Sequence, residues 1–217
     1  LLRDEKTGSL YLVESLDHAF FAEAEYPVVW DYQTVNGTLA MDTTWYAAST
    51  YYVSGDLTID HCALRIEPGT FVKVAADKKI TTRNGGALIA RGQPGRRIVF
   101  VCASDTNNGE EISGAASGTF AGLEVGDGSA LEWCHIYSAA TGVTIKGRLA
   151  MPFQHSRVLG CGTGIEIATE DPNGCRVFNN IINACTEYGL AANTANGTAA
   201  VVNNTFYNNA TAVRLGP

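Results

Sequence analysis

Four stretches near the end of the chain say nearly the same thing at a nearly constant interval. They are WCHIYSAATGVTI from Trp133, HSRVLGCGTGIEI from His155, NNIINACTEYGLAA from Asn179 and NNTFYNNATAVRL from Asn203. Each opens on a pair of residues, carries one apolar position, then a small residue and an apolar-x-apolar triplet. Ile136, Val158, Ile182 and Phe206 form one column, with steps of 22, 24 and 24 residues. Val143, Ile165, Leu190 and Val213 form a second, with steps of 22, 25 and 23, and GLEV at Gly122 extends it one repeat back. Short alternating runs at this period, with no helical periodicity between them, fit a β-solenoid. One repeat cannot bury its own inner face. Stacked about 4.8 Å apart, successive repeats pair in parallel and share a core.

The paired positions fit the corners of such coils. Asn179-Asn180 and Asn203-Asn204 match each other, and Trp133-Cys134 and His155-Ser156 stand in the same places. Asn tolerates left-handed backbone, and its amide can bond to its copy in the next coil. Upstream the interval is looser, but the style persists. In GDLTIDHCALRIEPGTFVKVAADKKI, the pairs Leu57/Ile59, Leu64/Ile66 and Val72/Val74 point inward and Pro68-Gly69 turns. GALIARGQPGRRIVF adds two strands around a turn at Gly92–Gly95. Only 17% of residues are charged, against a usual share of about 25%, and Gly is frequent at 23 residues. Both suit a turn-rich all-β chain.

The segments LRIEPGTFVKV and GGALIARGQPGRRIVFV, followed by the Asn-pair coils, resemble the right-handed parallel β-helix superfamily, the pectin-lyase-like fold. The resemblance covers roughly Tyr51 to Leu215. It implies a single-stranded solenoid of about seven coils over residues 51–217. Residues 1–50 differ, and are expected to form an N-terminal cap or assembly segment. A short helix is expected near Glu14–Glu25, and an aromatic cluster follows, running from Trp30 and Tyr32 through Trp45 and Tyr46 to Tyr51 and Tyr52 just beyond the segment. The cluster reads first as cover for the end coil, with a carbohydrate-binding role as the alternative.

The fold does not dictate an activity. Enzymes of this superfamily work on polysaccharides in a groove along one sheet, using acidic side chains from successive coils, often with Arg or Lys and sometimes with calcium. Here the outward position of the second column is Glu124, Thr144, Glu166, Ala191 and Arg214 in turn. Glu124 and Glu166 then lie two coils apart, about 9.5 Å, near the upper limit for an inverting glycosidase pair. They are the candidate catalytic residues. Outward glutamates on a solvated strand are also ordinary, and no dense Asp cluster accompanies them. Glu170-Asp171 and Asp127 read as solvated turns. Arg214, and the aligned pair His135 and Arg157, are the candidate ligand-binding residues.

Cys161 and Cys185 each fall three residues after the first column. Stacking brings them within disulfide range, and packing as reduced thiols is the alternative. The six cysteines show no zinc spacing. No HExxH, GxSxG or phosphate-loop motif occurs, no cofactor is expected, and no motif supports calcium specifically. The net charge of −7 argues against a nucleic-acid partner, and no apolar run is long enough to span a membrane. The sequons at Asn36, Asn196, Asn203 and Asn209 read as chance matches in an Asn- and Thr-rich chain.

The leading expectation is a non-catalytic extracellular or surface β-solenoid with a structural, adhesive or assembly role. The alternatives are a polysaccharide lyase or glycoside hydrolase, or a carbohydrate-binding module using one outward face. Because no capping segment follows the coil ending at Leu215, that coil is expected to meet either a continuing domain or a second copy.

Overall fold

A computed structural model describes residues 32–169, 174–193 and 198–216, with the backbone of residues 2–3 and 10–11. Within this range the chain winds through three faces in fixed order, once per coil. The first face stacks Thr43–Trp45, Ala63–Ile66, Ala87–Arg91, Ala130–Glu132, Phe153–Gln154, Arg176–Phe178 and Ala200–Val202. The second stacks the first part of Thr50–Asp60 with Phe71–Val74, Ile98–Cys102, Cys134–Tyr137, Arg157–Leu159, Ile181–Asn183 and Thr205–Tyr207. The third stacks the rest of Thr50–Asp60 with Lys79–Arg83, Phe120–Val125, Ala139–Ile145, Thr163–Ile167, Tyr188–Ala192 and Thr211–Leu215. All these pairings are parallel, so the molecule is a solenoid of seven coils.

Both expected columns form continuous ladders. On the second face the register runs Tyr51, Val72, Phe100, Ile136, Val158, Ile182, Phe206. On the third it runs Leu57, Ile80, Leu123, Val143, Ile165, Leu190, Val213. Apart from the last coil, these side chains are buried. A parallel in-register stack of apolar side chains leaves no room for slippage, because a one-residue shift would turn every column outward.

The corners explain the paired residues. Trp133, His155, Asn179 and Asn203 all have left-handed backbone, with φ of 51°, 52°, 56° and 55°. The residue after each bonds along the stack. Cys134 N–H donates to Ser156 Oγ (3.0 Å), Ser156 N–H to Asn180 Oδ1 (2.9 Å), and Asn180 N–H to Asn204 Oδ1 (2.9 Å). The Asn180 amide also donates to Phe153 O at 2.9 Å. Corner carbonyls and N–H groups that the strands leave unpaired are thus satisfied inside the stack.

The small-residue column enters the third face. A Cβ on Gly142 would lie 2.5 Å from Gly164 O, and one on Gly164 would lie 2.5 Å from Gly189 O. Here glycine is required by the approach of the next coil rather than by backbone conformation.

One expectation is revised, and one pair of alternatives is decided. Gln33–Leu39 pairs in parallel with Thr50–Asp60, and Thr43–Trp45 with Ala63–Ile66. The solenoid therefore reaches back to residue 33, into the segment assigned to a cap. Trp45 and Tyr51 are buried in the first coil, with rings stacked 4.5 Å apart. The helix expected near Glu14–Glu25 lies outside the described residues. For Cys161 and Cys185 the structure takes the reduced alternative: all six cysteines are free and buried. The two thiols do stack one coil apart, but Cys161 Sγ faces Leu159 O at 3.7 Å and Cys185 Sγ faces Asn183 O at 3.8 Å. In-register parallel strands hold equivalent Cβ atoms about 4.8 Å apart, farther than the roughly 3.8 Å a disulfide favours.

Candidate functional site

The third face carries the outward column in the order read from sequence. Thr81 pairs with Glu124, Glu124 with Thr144, Thr144 with Glu166, Glu166 with Ala191, and Ala191 with Arg214. Glu124 and Glu166 thus project from one sheet two coils apart, with the Thr144 side chain between them. Their surroundings differ from one another. Glu124 accepts from Lys79 Nζ and Lys146 Nζ, both at 2.8 Å, and from Thr81 Oγ1 at 3.3 Å. Burial pushes its pKa up, but the hydrogen bonds and charges of Lys146 and Lys79 outweigh this, so the carboxyl lies below its ordinary value. Glu166 accepts from Thr144 Oγ1 (3.2 Å) and Asn193 Nδ2 (2.9 Å). Arg214 stands apart from both, over the Tyr188 ring at 5.3 Å. Two ammonium groups thus hold the Glu124 carboxylate between the coil before and the coil after.

His135 and Arg157 are brought together as expected, but on the second face, where they pair in register. They line a cleft of about 410 Å³ with Arg97, Trp133 and His155. The cleft is built by the corner preceding the second face. Ile98 pairs with Cys134, so Arg97, Trp133 and His155 occupy one corner position in three successive coils. The Arg97 guanidinium lies 4.9 Å from the centre of the indole, and the His155 ring stacks on it at 4.6 Å. Arg97 also donates to His155 O at 3.2 Å. The Tyr137 hydroxyl and His135 Nδ1 lie 2.6 Å apart. Burial, with Arg97 and Arg157 nearby, lowers the His135 pKa to about 4, so the ring is neutral near pH 7. Arg157 Nε is buried and has no hydrogen-bond partner.

Sequence reasoning placed His135 and Arg157 but missed Arg97, Trp133 and His155 as members of the same site. In the sequence Trp133 and His155 align only as corner residues. Arg97 fell in the upstream region of looser interval, and only strand register ties it to them. Lys79 and Lys146 were missed for the same reason, since Glu124 meets them from the coil before and the coil after.

A model describing a right-handed β-helix region matches residues 95–215, more than half of the chain. The chain belongs to the right-handed β-helix family. No curated protein and no solved structure matches it. The match takes in Arg97, the whole cleft and the Glu124–Arg214 column, so both candidate surfaces sit on β-helix coils. Among the described residues of this β-helix, no group of three or more His, Cys, Asp and Glu side chains is placed to hold a metal ion. Among the described residues there is no helix long and apolar enough to cross a membrane. Asp127 lies in an exposed turn, as expected, and its Oδ1 also accepts from Arg148 N–H in the next coil at 2.6 Å. Glu170-Asp171 lies outside the described residues.

The longest corner insertion, residues 103–119, folds back over the second face beside the cleft. It covers Lys73, which is fully buried and donates to Asp105 O at 2.6 Å. Burial lowers the pKa of this ammonium, while Asp105, Glu111 and Glu110 act in the opposite sense. Glu110 N–H donates to Thr50 Oγ1 at 3.2 Å, pinning the insertion to the first coil.

Proposed function

We propose that this β-helix is a non-catalytic scaffold, acting through binding and structure rather than through turnover. The observation that carries the reading is the state of Glu124. Hydrolysis of a glycosidic bond by a carboxyl pair needs one member to hold a proton near neutral pH. Glu124 is kept ionised by Lys79 and Lys146, so it is not that member. Its oxygens are occupied by both ammonium groups and the Thr81 hydroxyl rather than free to take a proton from water. The same pairing engages both lysines, so neither is a free base for abstracting a proton from a uronic acid ring.

The test is an activity screen of the purified chain on acidic and neutral polysaccharides, following reducing ends and the ultraviolet absorbance of unsaturated products. No turnover is expected with any substrate. Turnover that disappears in a folded Glu124→Gln or Glu166→Gln variant would replace the scaffold reading with a paired-carboxylate enzyme.

A further inference from the structure

The cleft at the corner of the second face is a different surface from the Glu124–Arg214 column and has a different chemistry. Its lining brings two arginines and two histidines together and includes no carboxylate. The nearest acid is Glu132, whose Oε1 lies 3.6 Å from His155 Nδ1 and accepts from Gln154 Nε2 at 2.9 Å. In a chain of net charge −7, two guanidinium groups lining one cleft without a carboxylate are a local reversal. The indole at its centre is already flanked, by Arg97 from the coil before and His155 from the coil after. It therefore offers little open ring face on which a neutral sugar could stack. What the cleft does offer is guanidinium N–H groups, and one of them is unsatisfied. A buried donor without a partner is destabilising until a ligand or water fills it.

We propose that this cleft binds an oxyanion, a carboxylate, sulfate or phosphate group carried at the edge of a ligand, between Arg97 and Arg157. The guanidinium fork matches two oxygens of such a group. The Arg97–Trp133–His155 stack fixes one fork in place, so its side chain loses little freedom on binding. Arg157 contributes the unpaired Nε–H. Neutral His135 adds a ring nitrogen without competing charge, and in the tautomer that accepts from Tyr137 its proton is on Nε2. The proposal does not rest on the scaffold reading, since a catalytically active chain would carry this cleft equally.

The experiment follows the side-chain N–H signals of Arg157 and Trp133 and the His135 ring by NMR. The probes are inorganic sulfate in one arm and monomeric glucuronate in the other, with chloride at matched ionic strength as control. Saturable movement of the Arg157 Nε–H signal is expected, with binding about tenfold or more weaker in Arg157→Gln. Binding should be unchanged in Lys146→Gln, on the other face. A response to both probes identifies a general oxyanion site. A response to one alone assigns the site to tetrahedral esters or to sugar carboxylates. If Arg157→Gln does not fold, Arg97→Gln replaces it, read on the same Arg157 signal. No saturable shift with either probe, an equal shift with chloride, or undiminished binding in the folded arginine variant would overturn the proposal.

Discussion

At the scale of single residues, burial and charge make this molecule acid-sensitive in two separable steps. His135 titrates near its ordinary 6.5 when unfolded and at about 4 when folded. Between those values the unfolded chain binds a proton that the native chain does not. Stability should therefore fall as pH drops from about 6.5 towards about 4. Urea melts across this window should show a shallower slope in His135→Gln, and parallel curves for the two proteins would remove His135 as the cause. Glu124 acts lower. Its folded pKa lies below the ordinary value, so its contribution is present above about pH 4.3 and is lost as pH falls through the folded pKa. In Glu124→Gln that last loss should disappear, at a cost of about 1 kcal/mol near neutral pH. The thiols behave oppositely to reactive cysteines. Burial pushes Cys134 and Cys161 up to about 12, so native protein should resist thiol-labelling reagents until it unfolds.

At the scale of strands and corners, the sequence was legible wherever one coil repeats another. The two apolar columns, the outward Glu124–Arg214 series and the left-handed corner positions are all readable because each coil must present the same residue class to its neighbours. What could not be read depended on contacts between coils whose lengths differ. The Arg97 corner, the Lys79–Glu124–Lys146 clamp and the membership of Gln33–Leu39 in the ladder fall into this class. So does the unformed cysteine bridge, which depends on Cβ separation rather than on Cα stacking. Two substitutions test the corner physics. Asn180→Asp keeps the shape but replaces the amide that donates to Phe153 O and Asn204 Oδ1 with a second acceptor. It should cost about 2–3 kcal/mol or more, since buried acceptors then face each other. Gly164→Ala drives a methyl to 2.5 Å from Gly189 O and 2.7 Å from Ile182 Cγ2. A loss of about 1–3 kcal/mol is expected, and a thermal melt equal to wild type would mean that the coils spread without strain. On the strands themselves, Ile182→Asp should abolish folding, because a charge would enter a ladder with no partner for it.

At the scale of the whole molecule, each coil touches only its neighbours, so stability is a sum of local terms rather than the property of one closed core. Hydrogen exchange should reflect this. Amides in Ile98–Cys102 and Cys134–Tyr137 should exchange most slowly, and those in Thr205–Tyr207 and Thr211–Leu215 fastest. Apolar side chains of this last described coil are exposed: Val213 is 40% and Leu215 77% accessible. Protection there equal to the central coils would mean that a second copy covers them in solution. The insertion between Cys102 and Phe120 has a wider consequence. Adjacent coils turn the same corner with a single residue, Ser138, or with the short run 75–78, yet the ladders on either side stay paired, with one local register shift between Gly122 and Leu123 against the next coil. The frame therefore tolerates length at its corners without transmitting it along the axis. New recognition loops can be grafted, exchanged or lost there one at a time, and the coils beneath need not change.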